Sequence, residues 1–190
     1  MDYDVIVVGG GHAGMEAALA AAHLNMSTLL VTLNKNMLAN LPCNPSIGGS
    51  AKGIVVREID ALGGVQGIIA DKACLQMKML NTGKGPGVQC LRAQEDKLDY
   101  PKLMLEYAEN TKNLTILEGM VDDLLHDDNH VYGVKIQDKE YTSKAVILTT
   151  GTYMESTILR GHNVTVAGPD GEKPSLGLSP NLQKMGIKII

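Results

Sequence analysis

The chain has 190 residues, 44% of them hydrophobic, with a net charge of −4 and a pI near 5.7. That length suits one domain, or one and part of another. The acidic balance argues against a free-standing nucleic-acid binder while leaving room for a local basic face. Three cysteines, Cys43, Cys74 and Cys90, form no C-x-x-C, and Trp and Phe are absent. This pattern fits reduced thiols in a cytoplasm better than disulfides or a metal site, and leaves few aromatic platforms for stacking bases.

The acidic start Met1-Asp2-Tyr3-Asp4 is not that of a cleavable signal peptide, and no run is long enough to span a membrane. Val5-Ile6-Val7-Val8 is an apolar, β-branched run suited to a strand covered on both faces. Gly9, Gly11 and Gly14 follow in G-x-G-x-x-G spacing, and Met15 to Ala22 reads as helix. Strand, glycine turn and helix together predict a dinucleotide site. Gly9 serves the tight turn and Gly11 lets a pyrophosphate approach bare backbone. Gly14 and Ala18 let helix and strand come close, and the helix N-terminus faces the phosphates. Gly10, His12 and Ala13 complete the turn; His12 either poises a proton or simply bonds nearby backbone.

Ser27 to Thr32 reads as a second buried strand, completing a βαβ unit. The acidic residue that usually ends this strand and holds the adenosine ribose is missing, so Asn34 is the candidate for that role. Lys35 to Ser50 reads as a long irregular loop and Ala51 to Leu62 as a helix with Ile54, Val55, Ile59 and Leu62 on one side. A short helix at 67–73, a strand at 76–80 and a glycine-rich loop at 81–87 come next. A helix from Pro101 to Asn110 and a strand from Leu114 to Glu118 follow. Segments 121–126, 131–137 and 140–143 predict an antiparallel meander, and 145–152 a further buried strand ending at Thr150-Gly151. A bare glycine after a strand lets backbone meet a cofactor, so Thr150 and Gly151 are candidate contacts. The pattern loosens from Ser156, and Met185 to Ile190 reads as a strand cut short, as if the chain were a fragment.

Two features stay open on the residues alone. Cys43 reads as a small buried hydrophobe, or as a thiol whose pKa is lowered by the following helix start and Lys52. Lys78, Lys84, Arg92, Lys97 and Lys102 form the one local basic excess, a solvated surface or a rim for nucleic-acid phosphates. The methionines, among them Met77, Met79, Met104 and Met120, read as core filler.

Several blocks together resemble the N-terminal part of the glucose-inhibited division protein A (MnmG) family. They are Gly9 to Ala18, Cys43-Asn44-Pro45-Ser46-Ile47-Gly48-Gly49 with Lys52-Gly53, and Glu58 to Gly64. Lys84-Gly85-Pro86, Arg92-Ala93-Gln94 and Leu148 to Thr152 complete the set. The likeness runs from about residue 4 to 160 and more loosely to the end. It implies an α/β fold: a Rossmann-like FAD/NAD(P)-binding domain of the glutathione-reductase type, with a parallel sheet and an antiparallel meander. Residues 1–155 would be the first part of the FAD domain and 156–190 the start of an incomplete insertion or substrate domain.

The implied activity is addition of an aminomethyl or carboxymethylaminomethyl group at C5 of the tRNA wobble uridine. FAD is the implied cofactor, NADH the reductant, methylene-tetrahydrofolate the carbon donor and MnmE the GTPase partner. The full-length protein would be a homodimer in the cytoplasm, and the 190-residue chain alone weak or silent in catalysis. The resemblance turns Cys43 into the expected catalytic thiol, with no metal, and adds Val121 and Ser175 to the FAD contacts. Other readings are a generic FAD oxidoreductase, a folate-dependent tRNA methyltransferase relative, and a non-catalytic cofactor-binding fragment.

Overall fold

The computed structural model describes the chain except residues 43, 153, 155, 167–177 and 190 and the side chain of Arg160. Two expected site residues, Cys43 and Ser175, thus lie outside the described residues. The larger sheet is built from β1 (Tyr3–Val8), β2 (Thr28–Thr32), β6 (Leu114–Glu118), β7 (Asp123–His126), β8 (Val131–Ile136) and β9 (Lys139–Leu148). Its strand order is β6-β2-β1-β9-β8-β7. The pairs β1–β2, β1–β9 and β2–β6 are parallel, while β8 joins β9 and β7 antiparallel.

Both faces of β1 and β2 are covered, as their unbroken apolar runs require. Val7 and Leu30 pack with α1 (His12–His23), α3 (Gln66–Ala73) and α4 (Asp99–Glu109) through Met15, Leu19, Ile69, Tyr100 and Met104. On the opposite face Ile6, Val8, Leu29 and Val31 meet Val121, Leu124, Val134 and Ile136 from the meander region. Leu178 and Leu182 of α5 (Leu178–Lys184) belong to that same core, although they follow the boundary expected at residue 156.

A smaller antiparallel sheet has the order β3-β5-β4, from β3 (Ser46–Gly48), β4 (Cys74–Leu80) and β5 (Cys90–Glu95). It packs beside α2 (Lys52–Ala61) and α3, and β10 (Thr157–Arg160) pairs with β11 (Asn163–Val166) as a separate hairpin.

Several expectations need correction. The segments expected as two strands at 140–143 and 145–152 are one strand, β9. Its residues 139–142 pair with β8 and its residues 143–148 with β1, so one unbroken strand serves two neighbours in turn. Met185–Ile189 forms no strand. Gly186 takes a positive φ of 85°, its N–H bonds Gln183 O, and the Ile187 N–H bonds Leu182 O. That pairing is the Schellman closure of α5, which uses up the residues that would begin a strand. The 35–50 loop is not wholly irregular, because it contains a 3-10 turn at Lys35–Met37 and β3. Met77 and Met79 are exposed on the small sheet, unlike the buried Met15 and Met104. The apolar side read into α2 is likewise open: Ile54 is 57%, Val55 53% and Leu62 90% exposed.

Candidate cofactor site

The turn from β1 into α1 is held from below by Thr149. Its N–H donates to Val8 O at 2.8 Å, and its Oγ1 reaches Val8 O at 2.9 Å and Gly9 O at 3.1 Å. Gly9 sits at φ 110°, where a side chain would be strained and would collide with the Thr149 carbonyl. A Cβ on Gly14 would strike Gly9 O and come within 2.6 Å of Thr149 Oγ1. Helix, strand and turn therefore meet at van der Waals contact, as the glycine spacing anticipates.

Gly11 is the opposite case. A Cβ there would meet nothing within 4 Å. Gly11 is the N-cap of α1, no side chain caps the helix, and no acidic residue lies in its first turn. The first N–H groups of α1 thus carry a partial positive charge that no side chain caps, an arrangement suited to a diphosphate.

Above the turn lies a cavity of about 340 Å³, within the range of pockets that hold small ligands. Of the expected cofactor residues, Gly9, Gly10, Gly11, Asn34, Val121, Thr150 and Gly151 all line it. Strand adjacency explains the convergence, since β1, β2, β6 and β9 are neighbours and each ends at this edge of the sheet. The Gly119 N–H donates to Thr32 O at 2.9 Å, which brings residues 119–121 beside the end of β2. The Ala39 N–H donates to Gly10 O at 2.8 Å and folds the following loop back over the turn.

Asn34 Oδ1 accepts the Asn36 N–H at 2.9 Å, which orients the side chain and leaves its amide N–H₂ for a ligand hydroxyl. Glu118, at the end of β6, accepts the Lys35 N–H at 2.9 Å through Oε1 but does not line the cavity. Met37, Gly119 and Leu178 escaped the sequence reading. Only the strand order brings Gly119 to the site, and only the fold of α5 brings Leu178; no local pattern signals either.

His12, Ala13 and Gly14 do not line this cavity. Gly14 is packed beneath the turn, whereas His12 and Ala13 line a second hollow of about 500 Å³ together with Asn44 and Lys52. Asn40 and Pro42 line both hollows, so the loop leading to position 43 stands between them. His12 Nε2 and the Tyr100 hydroxyl lie 3.2 Å apart and share a hydrogen bond. Burial, with the nearby Lys52 charge adding to it, pulls the imidazole down to about 4, so His12 is neutral at pH 7.

Strand β5 and its neighbours hold the loop around position 43 at several points. The Gln94 Nε2 and the Glu95 N–H both donate to Pro45 O, at 2.8 and 2.7 Å. Lys97 Nζ donates to Pro42 O and Lys52 Nζ to Ser46 O, each at 3.1 Å. Among the described residues no group of His, Cys, Asp and Glu has the arrangement to hold a metal ion. Nor is any helix among them long and apolar enough to cross a membrane.

A parallel sheet with a glycine turn opening into a helix, and a cavity over the strand ends, defines a Rossmann-like α/β domain of the dinucleotide-binding class. Comparison with known proteins narrows the class. The profile of the glucose inhibited division protein A family matches residues 4–190, and the chain belongs to that family.

Among similar curated proteins, the tRNA uridine 5-carboxymethylaminomethyl modification enzyme MnmG of Acholeplasma laidlawii is 55% identical over 191 residues. The protein of the same name from Metamycoplasma arthritidis is 54% identical over 189. The chain is covered to 100% and 99% in these matches but spans only 31% of either relative's length. A crystal structure of Aquifex aeolicus GidA superposes on all of the chain with a TM-score of 0.94 at 46% identity, and the match covers 32% of that protein. A GidA-related protein from Thermus thermophilus shares the fold with a TM-score of 0.71 at 18% identity.

Proposed function

We propose that the cavity over the first glycine turn holds FAD and that the chain forms the cofactor-binding part of a tRNA wobble-uridine modification enzyme. One observation carries the reading: Gly9 and Gly14 are filled by packing, while Gly11 alone opens into a cavity walled by Asn34, Val121, Thr150 and Gly151. The names of the MnmG relatives support the activity. In this reading the N–H groups at the start of α1 receive the pyrophosphate, Asn34 donates to a ribose hydroxyl and the backbone around Val121 meets the adenine. FAD when bound would supply a path for hydride from NADH.

Cys43 is the proposed catalytic thiol. Carbon C5 of uracil is a poor nucleophile until a thiolate adds to C6. The enolate so formed can attack the methylene carbon of methylene-tetrahydrofolate as one folate carbon–nitrogen bond breaks, and the amine of glycine or ammonium displaces the remaining folate nitrogen. Loss of the C5 proton then expels the thiolate. Pro42 and Asn44, the neighbours of Cys43 in sequence, line the hollows on either side of the loop, with Lys52 in the wall. Ser175 as a further FAD contact, the GTPase partner MnmE, a homodimer and a cytoplasmic location all belong to the same proposal.

The test uses a protein carrying this segment together with the rest of the family's length. Cys43→Ser should lose wobble-uridine modification by at least about a hundredfold, the scale typical of removing an essential catalytic group, while FAD content stays one per chain. Retained modification with serine at position 43 would remove the thiol from the mechanism.

A further inference from the structure

Strands β4 and β5 set two cations side by side. Lys78 is directly opposite Arg92 in the antiparallel register, so both side chains stand on one face of the small sheet. Like charges in that position destabilise a strand pair. No carboxylate relieves them among the described residues, where the ion pairs are Lys35–Glu109, His130–Asp127 and Lys144–Asp4.

The surroundings give the pair a direction. On β3 the residue level with Arg92 is Gly48, which has no side chain to shield the guanidinium. On the opposite face Ile47 and Ala93 are each 5% exposed, while Met77, paired with Ala93, is exposed. Two residues along, about 7 Å at the usual strand rise, Gln76 faces Gln94, and Gln94 donates to Pro45 O in the loop that carries Cys43. A polar strip therefore runs from the Lys78–Arg92 pair to that loop.

We propose that this strip binds the phosphate backbone of RNA beside the nucleotide that reaches the Cys43 loop, with Lys78 and Arg92 each neutralising one phosphate. The inference rests on the tRNA reading above and adds the surface that receives the RNA. An incoming anion also relieves the repulsion that the empty face carries.

The experiment measures binding of a fluorescent tRNA anticodon stem-loop to this chain across a salt series. Each phosphate neutralised on a single strand adds about 0.7 to the slope of log K against log salt. Lys78→Gln with Arg92→Gln should therefore lower the slope by about 1.4 and the affinity at 0.1 M salt roughly twenty-five-fold. The melting temperature should hold or rise, because the repulsion is gone. Lys112→Gln, in the turn between α4 and β6 and outside the strip, should leave the slope unchanged. An unchanged slope in the double variant, or no binding of the stem-loop at low salt, overturns the proposal. FAD uptake is read on the same samples. Normal uptake with an unchanged slope removes the strip alone, whereas the expected loss of slope without any uptake removes the cofactor reading alone.

Discussion

Two glycines of one motif do opposite work. Gly14→Ala drives a methyl into the Gly9 carbonyl and Thr149 Oγ1 and should cost about 1–3 kcal/mol, the usual scale of overpacking, as read by denaturant unfolding. Gly11→Ala, at φ −70° with nothing within 4 Å, should unfold within about 0.5 kcal/mol of the parent. Glu95 is a second residue-scale case. It is 1% exposed, neither carboxylate oxygen has a hydrogen-bond partner, and burial, with Asp71 adding to it, raises its pKa to about 7.

The sign of the linkage follows from the folded value lying above the unfolded one of 4.5. The favourable contribution is fully present below pH 4.5 and is lost as pH rises to 7, on the order of 3 kcal/mol at about 1.4 kcal/mol per unit. His12, depressed from 6.5 to about 4, loses stability in the other direction as pH falls through that range. The two largely cancel in the parent chain. Glu95→Gln should expose the imbalance: its stability advantage should be near zero at pH 4.5, grow up to pH 7 and stay level beyond. A constant difference across pH would contradict the burial of a protonated carboxyl. The sequence marks Glu95 only as a strand residue, because its isolation depends on α3 and α4 closing over it.

At the scale of elements, the legible parts are those whose pattern is local. The apolar runs of β1 and β2, the glycine turn and Pro101 in the first turn of α4 all follow from adjacent residues. What stayed hidden depends on partners far along the chain. Helix α3 begins with no cap from its own segment; Glu16 of α1 accepts the Val65 and Gln66 N–H groups at 3.0 and 2.6 Å instead. Glu16→Ala should cost about 1–2 kcal/mol in unfolding free energy, as loss of a helix cap does. Strand β5 escaped notice because its alternation, Leu91-Arg92-Ala93-Gln94, is only four residues long, and it owes its place to pairing with both β3 and β4. The continuity of β9 was hidden in the same way, since its two halves answer to different neighbours.

For the whole molecule, the order of strands turns scattered segments into a site. Asn34, Val121 and Thr150-Gly151 are far apart in sequence and meet only because β2, β6, β1 and β9 lie in that neighbourhood. Seven of the expected cofactor residues share one cavity for this reason, while His12 and Ala13 look into the adjoining hollow. FAD titration of the purified chain tests the central claim most directly. The expected result is one flavin per chain, with affinity at least about tenfold weaker in Gly11→Ala, as for a loss of about 1.4 kcal/mol, and an unchanged melting temperature. No uptake of FAD, or equal affinity in the two proteins, would contradict a pyrophosphate seated on the first helix.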